Sequence, residues 1–245
     1  ETESISVFGG EELVPPQYGK VFISIKPRNG DFVPSIIKQN IKRNLKKYSV
    51  AGIVPEILDL KYLFIETSSK VYYNTNLAPS ASFVSTKVQR DLTAYAESSE
   101  LNKYGARFKY SRFLKVVDSS HESVTSNITT VEMRRDLRLA VSEVAEYAID
   151  FGNEFHVQSM NGFNIRSSAF RVLNINTDVY LYDVPDSTAE KGQISLFSLD
   201  EGSSTPVIQR RNVGVIDYKK GRITLDPINI VSGKTKDNVD ILEIS

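Results

Sequence analysis

The sequence predicts an α+β fold: an N-terminal mixed α/β unit over residues 1–135, then a predominantly antiparallel β-rich domain over residues 136–245 that serves assembly. Three observations lead there. Strand-like alternation and helix-like spacing take turns up to about residue 105, a β-branched run follows at 123–133, and beyond 146 short apolar segments recur between turn signals. With 40% hydrophobic residues, 12 tyrosines, 12 phenylalanines and no cysteine in 245 residues, apolar packing must hold this fold without disulfides.

The first strand is KVFISIKP at 20–27, where Val21, Ile23 and Ile25 fall on one side, Phe22 on the other, and Pro27 ends the ladder. A helix follows in VPSIIKQNIKRNLKKY. Asp31 precedes it as an acceptor for free amides, Pro34 suits its first turn, and Ile37, Ile41, Leu45 and Tyr48 recur on one face. The segment 56–77 alternates as a long strand or a strand pair. Ser80 and Ser82 offer caps for a second helix whose Val84, Val88, Leu92 and Tyr95 share a face and whose end is expected near Gly105.

Residues 106–120 fit a short helix or an apolar strand, whereas the threonines and valines of 123–133 predict extended backbone. The run RRDLRLAVSEVAEYAI fits either state. Further on, FHVQS and FNIRS flank an Asn161–Gly162 turn as strands, VYLYDV (179–184) and ISLFSL (194–199) are strands, and VGVIDYKKGRITLDPINI is a hairpin with Lys219, Lys220 and Gly221 as its loop.

Lysine plus arginine and aspartate plus glutamate are each 30, so net charge gives no reason to expect nucleic acid or an anionic membrane as partner. The distribution is uneven. Residues 1–120 carry 17 basic and 12 acidic groups and residues 121–245 carry 13 and 18, a difference that favours alignment of domains or subunits more than affinity. Lys38, Lys42, Arg43, Lys46 and Lys47 concentrate cations on the outer side of the first helix, a solvated face first, then a protein contact, with nucleic acid the least favoured reading because no basic and aromatic arrangement for reading bases accompanies them. No run approaches the roughly 18–20 apolar residues of a membrane span, and no basic-then-apolar signal segment opens the chain. The first residue is Glu1, as in a processed chain or a fragment.

Catalytic chemistry finds little to work with. His121 and His156 lie 35 residues apart, too far for a short zinc-ligand pair or a helical metal motif. Asp237 with Asp240, or Asp200 with Glu201, provides oxygen donors without the ordered series of a calcium loop. Gly9–Gly10 before Glu11–Glu12 lacks a phosphate-cradling lysine and reads as a turn. Neither an enzyme nor a bound cofactor is expected. The aromatic stretch YLFIETSSKVYY at 62–73 suits a sheet core or a subunit seam, and Tyr18 after Pro15–Pro16 suits a core edge or a partner.

The phrases GGEELVPPQYGKVFISIKPRNG (9–30) and VGVIDYKKGRITLDPINIVSG (213–233) resemble the C-terminal portion of the large baseplate wedge subunit of T4-like contractile-tailed bacteriophages, a group akin to baseplate J-like proteins. The resemblance spans most of the chain. It implies a noncatalytic structural subunit of a virion tail baseplate, assembled in the host cytoplasm, that joins neighbouring wedges through copies of itself and other wedge proteins and helps transmit rearrangement during tail contraction. It extends an assembly role to Val14, Pro15, Pro16, Gln17 and Tyr18, and to Val213, Ile216, Tyr218, Ile223 and Leu225. A glycan-acting tail enzyme and a cation-dependent glycan-binding module are the alternatives, because carboxylates are plentiful.

Overall fold

The structure is a computed structural model that describes residues 2–12, 16–28, 33–49, 52–58, 60–98, 100–200, 202–203, 205–236 and 239–245. It is an N-terminal mixed α/β region followed by a predominantly antiparallel β region, in keeping with the expected fold class. The chain divides into two compact units. One comprises Glu1–Lys61 with Ser68–Thr130, the other Tyr62–Thr67 with Val131–Ser245.

In the first unit, strands β1 (Thr2–Gly9), β2 (Lys20–Pro27) and β3 (Val54–Leu58) form a sheet in that order, β1 antiparallel and β3 parallel to β2. A single 3-10 turn, Gly10–Glu12, follows β1. Phe8 sits opposite Phe22 and the rings stack at 5.7 Å, the kind of cross-strand pair that fixes register. Helix α1 (Ser35–Lys46) is the expected amphipathic helix, although Pro34 stands at its N-cap and no side chain caps it. The Asp31 cap lies outside the described residues.

Segment 56–77 is neither the expected long strand nor a strand pair: it holds the end of β3 and β4 (Phe64–Tyr73), two strands that belong to different sheets. Helix α2 (Ala81–Ala96) begins where expected, with the Ser80 hydroxyl accepting the Phe83 amide at 3.2 Å. It ends nine residues before Gly105, because Ser98 turns back to donate to the Tyr95 carbonyl at 2.6 Å and satisfies the terminus locally. Of the two states open for 106–120, the chain adopts helix α3 (Tyr110–Asp118). Val84 and Val88 of α2 pack with Phe113 and Val117 of α3 into a small core. Four-residue spacing on each helix is what lets these pairs meet.

β4 and the long strand β5 (Val124–Arg138) contribute residues to both units, and β5 absorbs the first part of the undecided run RRDLRLAVSEVAEYAI. The remainder forms β6 (Val144–Asp150). The second unit adds β7 (Arg171–Val172), β8 (Tyr180–Pro185), β9 (Lys191–Leu199), β10 (Pro206–Asp217), β11 (Arg222–Ser232), β12 (Lys234–Lys236) and β13 (Val239–Ile244). One sheet runs β6-β11-β10-β9-β8 with β7 on β11, another runs β12-β13-β5-β4, and every strand pair within the second unit whose direction is recorded is antiparallel.

Strand β11 shows how sequence sets this geometry. Ile223 and Leu225 alternate inward, the register against β6 shifts between Leu225 and Ile228, and inward alternation resumes at Ile228 and Ile230. Pro227 lies in that shift, where its missing N–H is not required by a ladder. The β10–β11 loop takes four residues, not the expected three, because Asp217 pairs with Arg222 and Tyr218 joins the turn. Gly221 has φ 63°, and a Cβ there would lie 1.7 Å from the Asn153 carbonyl oxygen. Only glycine fits.

The strands expected on either side of Asn161–Gly162 do not form, though the turn does. The Asn164 amide oxygen accepts the backbone N–H groups of Gln158 and Ser159 at 2.9 and 2.8 Å, and its NH2 donates to the Ser159 carbonyl at 2.9 Å. One side chain thereby replaces the ladder a second strand would have supplied.

Candidate assembly surfaces

The sites suggested by sequence fall into two groups with opposite fates. Pro16, Gln17 and Tyr18 are exposed, Tyr18 by 82%, and the Gln17 amide donates to the Gly10 carbonyl at 2.8 Å, which holds the turn before β2. Val14 and Pro15 lie outside the described residues. On α1, Lys42, Arg43, Lys46 and Lys47 are exposed and Lys38 is half-buried. The helix contains no acidic residue and buries none of its side chains; Ile36 is 70% exposed. Such a helix offers a partner two apolar residues beside four outward cations.

The second group is corrected by the structure. Val213, Ile216, Tyr218, Ile223 and Leu225 were expected at an interface, yet all five side chains are buried in the core of the second unit. Strand alternation explains it: Ile216 sits opposite Ile223, a pair whose side chains share the inward face. The outward face of the same hairpin belongs to other residues.

The most developed polar arrangement in the chain went unnoticed in the sequence. Asp183 on β8 is fully buried, and its carboxylate accepts four hydrogen bonds. Oδ1 takes the backbone N–H groups of Asn164 and Ile165 at 2.7 and 3.1 Å; Oδ2 takes the Asn164 NH2 at 2.7 Å and the Tyr218 hydroxyl at 2.6 Å. The signal was present in VYLYDV, where Asp183 has the same parity as the core residues Val179 and Leu181.

Four donors fill the acceptor positions of a carboxylate, so Asp183 keeps no lone pair for a substrate or cation. Its work is to fasten the 159–165 loop and the β10–β11 turn to β8. Gly162, at φ 91°, allows the approach: a Cβ there would stand 2.0 Å from the Asp183 carbonyl oxygen. Burial raises the Tyr218 phenol above the ordinary tyrosine value, and its hydrogen bond to Asp183 raises it further.

A group whose folded pKa is raised contributes stability in full below its unfolded value and loses it as pH climbs beyond. Tyr218 should therefore remain protonated past pH ~10 while exposed tyrosines ionise, and the second unit should weaken as alkalinity increases from there. Ultraviolet titration of the parent and Tyr218→Phe proteins tests this. The late-ionising component should lose one tyrosine in the variant; a titration unchanged by the substitution would refute it.

Neither histidine forms a reactive constellation. His121 Nδ1 lies 2.8 Å from the Ser123 hydroxyl and accepts the Ser123 amide at 3.1 Å, while His156 is exposed. Asp200 accepts the Ser203 hydroxyl within the β9–β10 loop, and Asp240 on β13 accepts the amide of Gly233, between β11 and β12. Glu201 and Asp237 lie outside the described residues. Among the described residues, no group of three or more histidine, aspartate or glutamate side chains could hold a metal ion.

Comparison with known proteins accounts for a chain furnished with surfaces and a fastened core. Residues 1–58 match the family model for C-terminal domain I of baseplate structural protein gp6, and residues 61–136 match that for its C-terminal domain III. The chain is also 30% identical, over 172 residues, to baseplate wedge protein gp6 of Enterobacteria phage T4. The chain belongs to the gp6 baseplate family. The alignment covers 68% of this chain and 26% of that relative, so the chain spans about a quarter of the gp6 protein it matches. The gp6 domain I match contains the β1–β3 sheet and α1, and the domain III match contains β4, α2, α3 and most of β5.

Proposed function

We propose that this chain is a noncatalytic structural part of a contractile-tail baseplate wedge, located in the virion tail and assembled in the host cytoplasm. It joins neighbouring wedges through copies of itself and through other wedge proteins, and helps carry rearrangement across the baseplate during contraction. Membership of the gp6 family is the observation that carries this reading. The helix α1 adds physical support, because four exposed cations beside Ile36 and Ile37 suit the oriented docking of an acidic protein surface. Pro16, Gln17 and Tyr18, exposed at the turn before β2, form a second proposed contact.

Genetic complementation tests it. A full-length subunit carrying Lys42→Glu, Arg43→Glu and Lys46→Glu should fold normally, yet support baseplate assembly at least about tenfold less well, since reversed charge opposes steering and docking. Complementation at the parental level would remove α1 from the contact. A subunit lacking this entire region that still built contracting tails would overturn the reading as a whole.

A further inference from the structure

Three polar side chains from separate parts of the first unit meet at the end of the β1–β2 pair. Lys26 lies at the end of β2, Glu3 at the start of β1, and Asn102 in the turns after α2, 76 residues from Lys26. The strand register pairs Ser4 with Lys26 and Thr2 with Pro27, so Glu3 is the extra residue of a bulge. A bulge re-aims a side chain that regular pleating would send to the other face. Here Glu3 Oε2 comes to 3.1 Å from Lys26 Nζ. Asn102 is fixed from its own side: its backbone amide donates to the Ser98 carbonyl at 2.9 Å, in the turn that Ser98 closes on Tyr95.

The contacts among the three go beyond an ion pair. Lys26 Nζ donates to the Asn102 backbone carbonyl at 3.2 Å and also to its side-chain Oδ1, and Asn102 Nδ2 donates to Glu3 Oε1 at 2.6 Å. One carboxylate thus bridges amine and carboxamide, with an oxygen on each. Cγ lies one C=O bond, about 1.23 Å, from Oδ1, which leaves Nζ and Cγ about 3.5 Å apart or less, the separation of positioned reactants. The Lys26 side chain is 15% exposed, against 32–70% for Lys20, Lys219, Lys234 and Lys236 in their ion pairs. Shielding from water favours the uncharged amine–acid form of such a pair.

We propose that Lys26 and Asn102 are the site of an intramolecular amide cross-link, which the chain forms by itself with Glu3 as the catalytic acid–base. Nζ passes a proton to Glu3 Oε2 and attacks Cγ as a neutral amine. As the Cγ–Nζ bond forms and the Cγ–Nδ2 bond breaks, Nζ gives up a second proton, Glu3 delivers one through Oε1 to Nδ2, and ammonia departs with the other as ammonium. Glu3 ends as the carboxylate it began, and no oxidant or cofactor is consumed. The inference goes beyond the scaffold reading. It ties the segment matching gp6 domain I (1–58) to the one matching domain III (61–136), so that tension between them runs through a covalent bond instead of through side-chain packing.

Mass spectrometry of the purified full-length subunit tests this. The expected intact mass lies below the sequence mass by one ammonia, and tryptic digestion should release a branched peptide that joins Lys26 to Asn102. Glu3→Gln keeps the size of the bridging side chain and should lower the linked fraction at least about tenfold. Lys26→Arg should abolish the branched peptide, with the circular dichroism of both variants at the parental level. An intact mass equal to the sequence mass would overturn the proposal. So would an ammonia loss without the branched peptide, as succinimide formation at Asn161–Gly162 would give, or a linked fraction undiminished in Glu3→Gln. The assay reads a bond within one chain, whereas complementation reads baseplate construction; failure of one is therefore distinguishable from failure of the other.

Discussion

Asp183→Ala is expected to destabilise the second unit by about 3–5 kcal/mol, among the largest effects any single substitution in this chain should produce. The substitution removes an acceptor from four donors at once: the amides of Asn164 and Ile165, the Asn164 NH2 and the Tyr218 hydroxyl. Ile165 and Tyr218 are buried, so water cannot take the place of the lost carboxylate there without opening the core. Tyr218→Phe removes one donor and keeps the others, and should cost about 1–2 kcal/mol. The chain has two units and need not unfold in one step, so amide hydrogen exchange on β8 and β9 is the appropriate measurement. Protection there should fall by a factor of ~100 or more in Asp183→Ala and less than about 30 in Tyr218→Phe. If the two variants lost equal protection, or neither lost any, the carboxylate would not be the fastening point.

How much of this was legible in the sequence depended on whether the deciding interaction was periodic. Strands β2, β8 and β9 and helices α1 and α2 carry apolar residues at strand or helix spacing in the sequence, so their residues announce them. Helix α3 was ambiguous because its apolar residues sit close together; Phe113 and Val117 prove to be one turn apart, which only their packing on Val84 and Val88 decides. The 155–164 segment misled for a different reason. Its β-like phrases are satisfied by the Asn164 side chain, a local competitor that no hydrophobic pattern reveals. Family phrases located the assembly role in the β10–β11 hairpin but could not say which face of it points outward, since that requires knowing the sheet around it.

The last of these points yields the second large prediction. Ile223→Ala and Leu225→Ala should each destabilise the second unit by about 2–5 kcal/mol, because both side chains are essentially inaccessible and their loss leaves a cavity that neighbouring strands can only partly close. Ile223 stands opposite Ile216 on one side and Ile149 on the other, so its cavity is flanked by three strands of a continuous sheet. Val215, which adjoins Ile216 in sequence, faces outward and is half exposed, and Val215→Ala should change stability by less than about 0.5 kcal/mol. Any assembly defect of Ile223→Ala should therefore track the population of unfolded subunit and recover at lower temperature, toward the maximum of the stability curve. A defect at Val215 should persist in fully folded protein. If Ile223→Ala impaired baseplate assembly while its urea midpoint stayed at the parental value, the hairpin's inward residues would have to reach a partner after all, and the division of β10 into a core face and an outward face would be wrong.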